Sequence, residues 1–106
     1  MYRAIAINKY EDGDFTFVFF GTDLVNNIGY ERTGAKVLEL TNHTRKEVLF
    51  DALMEIHTTK ETLFAAGNSK KEGREHKKWE QVKMPLRRNG KMNEVLSFIV
   101  FKPYEE

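Results

Sequence analysis

"WEQVKMPLRRNGKMNEVLSFIVF", residues 79–101, decides how this chain folds. Val82, Met84 and Leu86 recur at every second position, the period of a strand whose two faces differ. Asn89-Gly90 follows, a dipeptide that tolerates the positive φ angles of a two-residue hairpin turn. "NEVLSFIVFKP", residues 93–103, then reads as a long closing strand, rich in side chains that suit a pleated surface. The segment is therefore a β-hairpin. Proline cannot donate to a sheet ladder, so Pro85 places the first arm at a sheet edge. In this reading Val82, Met84 and Leu86 face the core, while Lys83, Arg87, Arg88 and Lys91 are fixed outward charges.

A second hairpin opens the chain. Residues 3–10 alternate, with Ile5, Ile7 and Lys9 on one face and Ala4, Ala6, Asn8 and Tyr10 on the other. Asp12-Gly13 is turn chemistry, and "DFTFVFFGT" supplies the returning strand. Simple alternation puts Phe15, Phe17 and Phe19 on its core face and Thr16, Val18 and Phe20 on the other. "DLVNNIGYERTG", residues 23–34, is a connection punctuated by Gly29 and Gly34. "AKVLELT", residues 35–41, reads as a third strand.

Thr44-Arg-Lys-Glu47 has the form of a capping box. Val48, Leu49, Ala52, Leu53 and Ile56 follow at helical spacing, which predicts an amphipathic helix over 45–57. Thr58-Thr-Lys-Glu61 repeats the box, so a second short helix to Ala66, closed by Gly67, is expected. The element order becomes β-β-β-α-(α)-β-β. It implies an α+β fold, a mainly antiparallel sheet with one or two helices on one face. At 106 residues, 41% hydrophobic and 31% charged, residues 1–106 suit a single globular domain. "SKKEGREHKK" leaves residues 68–78 as a mobile basic linker.

Several function classes lack support. Without cysteine there is no disulfide, thiolate ligand or cysteine nucleophile, which fits a reducing, cytoplasmic location in the protein's own cell or a host. The longest apolar runs, such as "FIVF" at 98–101, fall far short of the ~20 residues of a membrane span. Ser69 and Ser97 sit in no nucleophile turn, and no phosphate-binding glycine loop occurs. His43, Glu47, Asp51 and Glu55 share a helix stripe, read as a solvated face and not a metal site. "FTFVFF" matches the tail of an RNA-recognition pattern, but its aromatics are read as core. No catalytic residue, metal or cofactor is expected, and no enzymatic activity.

Charge supplies the remaining signal. The formal net charge is only +1, yet residues 69–91 hold nine Lys or Arg against three Glu. The rest of the chain holds eight cations against thirteen carboxylates. Lys70, Lys71, Arg74, Lys77, Lys78, Lys83, Arg87, Arg88 and Lys91 can neutralise phosphates, and Trp79 can stack on a base. The first expectation is thus a small regulatory protein binding nucleic acid, RNA or DNA, through 70–91, mainly by phosphate contacts. The alternative is a protein-interaction module or phage-type inhibitor docking on an acidic partner surface, through the same hairpin or an open strand edge. Self-association of the oppositely charged regions gives a third possibility, a homo-oligomer.

Overall fold

The computed structural model describes residues 2–22, 32–41, 43–69 and 77–103, and side chains throughout them except at 2–3, 43–45, 67–69, 77–79 and 101–103. Strand β1 spans Tyr2–Glu11 and β2 Asp14–Phe20. A 3-10 turn covers Val37–Glu39, and helix α1 runs His43–Thr59. Strands β3, Leu63–Ser69, β4, Lys77–Arg88, and β5, Lys91–Pro103, complete the chain. All five strands form one antiparallel sheet in the order β2-β1-β5-β4-β3. The closing strand β5 is the centre of the sheet, flanked by both hairpins.

Both predicted hairpin turns are present. Asp12 and Gly13 have φ of 51° and 82°, and Asn89 and Gly90 have 52° and 77°. Positive φ at both central residues matches the twist of the flanking strands. Pro85, however, lies in an interior strand, since β4 pairs with both β5 and β3. The physical reason is local. The last β3 pair is Leu63 with Lys83, so the ladder on that side stops before Pro85, where an N–H would have no partner to serve.

Three other expectations are corrected. "AKVLELT" does not make a full strand. Gly34 N–H donates to Phe17 O (2.7 Å) and Phe17 N–H to Ala35 O (2.9 Å), a stub on the edge of β2. The chain then turns into the 3-10 segment, whose Leu38 N–H points at the Asp14 carboxylate (3.2 and 3.3 Å). The second helix is also absent: Leu63–Ser69 is strand β3. Lys60 takes a left-handed φ of 61°, its N–H bonded to Ile56 O, and this ends α1. Thr59 Oγ1 donates to Glu55 O and accepts from Glu61 N–H, so the second threonine-glutamate pair closes a helix instead of opening one. Finally, β2 carries one extra residue where the register shifts beside Ile7 and Asn8. This bulge puts Phe20 on the face of Phe15 and Phe17 and turns Phe19 to the other.

Cross-strand partners share a face, so the register assigns every side chain. The face toward α1 carries Ala4, Ala6, Phe15, Phe17, Phe20 and Val95, which pack with Val37, Leu53 and Ile56 as the buried core. Tyr10 stacks on His57 of the helix, ring centroids 4.2 Å apart, and meets Phe15 edge to face. The helix buries Leu53 and Ile56 as its spacing predicts, but Val48 is 67% exposed. Ala4 and Ala6 on β1 belong to the same buried cluster. The bulkier Ile5 and Ile7 point the other way.

Candidate functional site

The face of the sheet opposite α1 is apolar and open. Phe19 on β2, Ile5 on β1, Leu96 and Phe98 on β5, Val82 and Met84 on β4 and Phe64 on β3 share it. Phe64 is 77% exposed, Phe19 47% and Ile5 37%. Phe64, Val82, Phe98 and Val100 line a shallow groove there, with Glu80 at its rim. This reverses the expected orientation of the β4 arm: Val82, Met84 and Leu86 face outward, and Lys83 faces the helix layer. Alternation tells which residues share a face; it does not tell which face a helix covers. Both faces here have an apolar set, so the period alone could not choose.

The predicted basic residues do not form one described surface. Lys70, Lys71 and Arg74 lie outside the described residues. Lys77, Lys78 and Trp79 begin β4, paired with Ser69, Asn68 and Gly67, and their side chains are likewise outside the description. The expected linker 68–78 therefore begins and ends in strand, with only 70–76 undescribed. Arg88 Nε bonds Glu94 Oε1 at 3.0 Å, and that carboxylate is nearly buried, so Arg88 serves an internal partner. Arg87 reaches the Met92 sulfur at 3.2 Å. Arg87 and Lys91 remain exposed at the hairpin end. There Lys9, Arg88, Asn89, Lys91, Asn93 and Glu94 surround a small polar depression.

Lys83 is the residue that sequence reasoning placed wrongly. It is only 6% exposed, and its Nζ donates to Ser97 Oγ at 2.8 Å. Ser97, also buried, is its direct cross-strand partner on β5. Burial in this low-dielectric layer pushes the Lys83 ammonium down from 10.5 to about 8. His57 is also lowered from its usual value, by burial first and then by the neighbouring Lys60 charge. Asn8, paired across strands with Val95 and Phe17, is a further buried polar residue of this face, 1% exposed. Ser97 was a partial signal, a small polar residue inside an apolar strand, but the Asn-Gly turn alone would set Leu96 opposite Lys83; the register shift between Leu86 and Arg88 brings Ser97 there instead.

No protein-family profile and no curated protein matches this sequence. Solved structures do match its fold. The PAS domain of histidine kinase ThkA aligns over 93% of this chain and 98% of its own, at TM-score 0.65 and 20% identity. A selenomethionine variant of that domain aligns at TM-score 0.67 and 19% identity, over 94% and 99% of the two chains. An RNA-binding Light-Oxygen-Voltage receptor aligns at TM-score 0.61 and 11% identity, over 95% of this chain and 29% of the receptor. The chain thus has a PAS-like α+β fold, a five-stranded antiparallel sheet with one described helix. This corrects the nucleic-acid reading: the matching structures are a PAS domain of a histidine kinase and an RNA-binding Light-Oxygen-Voltage receptor, and a fold shared at 11–20% identity carries no specific nucleic-acid-binding function. The hairpin charges meant for phosphates are meanwhile divided: Lys83 is buried, Arg88 is paired with Glu94, and only Arg87 and Lys91 of the four are exposed without a carboxylate bond. No helix among the described residues is long and apolar enough to cross a membrane.

Proposed function

We propose that this chain is a regulatory module of the PAS type that works by protein docking, and that its partner is a second copy of itself, seated on the outer face of the sheet. The carrying observation is the uncovered apolar face, on which Phe64, Phe19 and Ile5 are exposed together. Isolated exposed apolar residues are ordinary, but an apolar band crossing every strand, here between the polar rows of Lys9, Glu94 and Glu80, is the mark of an interaction surface. Five strands about 4.8 Å apart, with apolar positions covering about five residues at about 3.3 Å, give an apolar band of roughly 400 Å², at the scale of the largest patch on a monomer that is often functional.

Fold likeness raises the prior for sensing and interaction and does not transfer an activity. The site itself supplies the argument for a second copy: the exposed Phe64 and the groove lined by Val82, Phe98 and Val100 lie on the same face, so one copy's Phe64 can fill the other's groove across a two-fold axis. Sedimentation equilibrium on the full chain tests this. A dimer is expected, and Phe64→Asp is expected to weaken it at least about tenfold, because a buried unpaired carboxylate costs more than about 1.4 kcal/mol. Far-UV circular dichroism should stay unchanged, since Phe64 takes no part in the core. A monomer at about 0.5 mM, well above typical dimer dissociation constants, would overturn the reading.

A further inference from the structure

We propose that the depression at the end of the β4–β5 hairpin is a site for a phosphate monoester group. Lys9 of β1, Arg88 of β4, Asn89 of the turn, and Lys91, Asn93 and Glu94 of β5 line a hollow of about 170 Å³. Three strands and a turn thus converge on one place. The lining carries three positive charges and one negative, which suits a doubly charged guest. The register explains how the charges meet. β4 shifts between Leu86 and Arg88, which sets Arg88 directly opposite Lys91. Like charges opposite each other in a sheet repel, and an anion between them removes that repulsion.

Glu94 is the fixed base of the site. It is 5% exposed and accepts from Arg88 Nε at 3.0 Å, which holds the guanidinium in one orientation. Arg88 still offers its two terminal amino groups, and its side chain is 56% exposed. Lys9 is the cross-strand partner of Glu94, yet neither Lys9 nor Lys91 makes an ion pair among the described residues. Asn89 and Asn93 add amide donors. Glu11, two residues beyond Lys9 on β1, is a neighbouring carboxylate but lies outside the lining. A phosphate monoester brings about two charges and three accepting oxygens, so Lys9, Arg88 and Lys91 can each make a charge-assisted bond from a different strand. A nucleic-acid backbone carries a single charge per phosphate and fits the lining less well.

The depression borders the apolar band and shares no residue with it, so this site and the docking reading fail separately. The test follows backbone amide chemical shifts of the full chain at about pH 7.5, where a phosphate monoester is close to doubly charged. Inorganic phosphate, and in a second arm O-phosphoserine, replaces sodium chloride at constant ionic strength. Saturable shifts at Lys9, Asn89, Lys91 and Asn93 are expected, with a dissociation constant of about 1–10 mM. Lys9→Gln combined with Lys91→Gln should weaken binding about tenfold. Arg87→Gln, just outside the lining, should change it less than about twofold, and so should Phe64→Asp while it weakens the dimer. Tighter binding of O-phosphoserine than of inorganic phosphate supports the site with an esterified guest, and the reverse order supports it with the free ion. No saturable shift at about 50 mM phosphate would overturn the site. An equal loss in Arg87→Gln would overturn it as general surface charge, and so would tighter binding of an oligonucleotide that lacks a terminal phosphate.

Discussion

Lys83 sets the pH behaviour of the fold. Its ammonium is lowered to about 8 in the folded state against 10.5 in the unfolded chain. Between those values the unfolded chain binds more protons, so stability rises with pH across roughly pH 8 to 10.5. Below pH 8 both states are protonated and the full penalty of burying the charge is present, roughly 3 kcal/mol. In chloride buffer at pH 7, Lys83→Met is therefore expected to stabilise the protein by roughly 1–3 kcal/mol and to flatten its urea-denaturation profile above pH 8. A destabilised variant would contradict this. Arg88 behaves oppositely. Arg88→Ala leaves the buried Glu94 carboxylate unpaired and should cost about 1–2 kcal/mol, whereas Arg87→Ala and Lys91→Ala should stay within about 0.5 kcal/mol. Loss of function on mutating Arg88 would thus report stability before it reported any contact.

At the scale of elements, the hairpins were legible because their turns are chemical. Asp12-Gly13 and Asn89-Gly90 each need two positive φ angles, and few other dipeptides supply them cheaply. Gly90→Ala should therefore cost about 1–2 kcal/mol, although open space surrounds its Cβ position, because the strain lies in the backbone. Urea denaturation measures it. Leu53→Ala, by contrast, opens a hole between helix and sheet and should cost about 2–5 kcal/mol. Strand β3 was not legible. "LFAAGNS" carries residues at home in helices, and only its partnership with β4 makes it extended. Thr58-Thr-Lys-Glu61 sent a misleading message too: it has the form of a capping box, but Thr59 Oγ1 ties off the helix end through Glu55 O and Glu61 N–H. The β2 bulge was hidden too: a single extra residue leaves no mark in an unbroken run of aromatics, yet it moves Phe19 to the other face and Phe20 into the core.

Among the described residues the sheet has one face packed against a helix and an opposite face on which Ile5, Phe19 and Phe64 are exposed. Residue pattern showed that each strand had two faces, and the antiparallel α+β architecture followed from it. Which face met the helix was set by packing across strands: α1 lies against β5, β4 and β2, on the face that buries Val95, Phe15 and Phe17. The candidate site was correspondingly half visible. Lys83 was picked out for its charge, but the charge is held inside, while the apolar residues assigned to the core became the surface. The most direct test of that account is the set of backbone amide chemical shifts as the full chain is diluted from about 0.5 mM to about 10 μM, a span that brackets a micromolar dimer. The outer face predicts concentration-dependent shifts clustered at Ile5, Phe64, Val82 and Phe98. Shifts clustered at Arg87 and Lys91, or none at all, would contradict it.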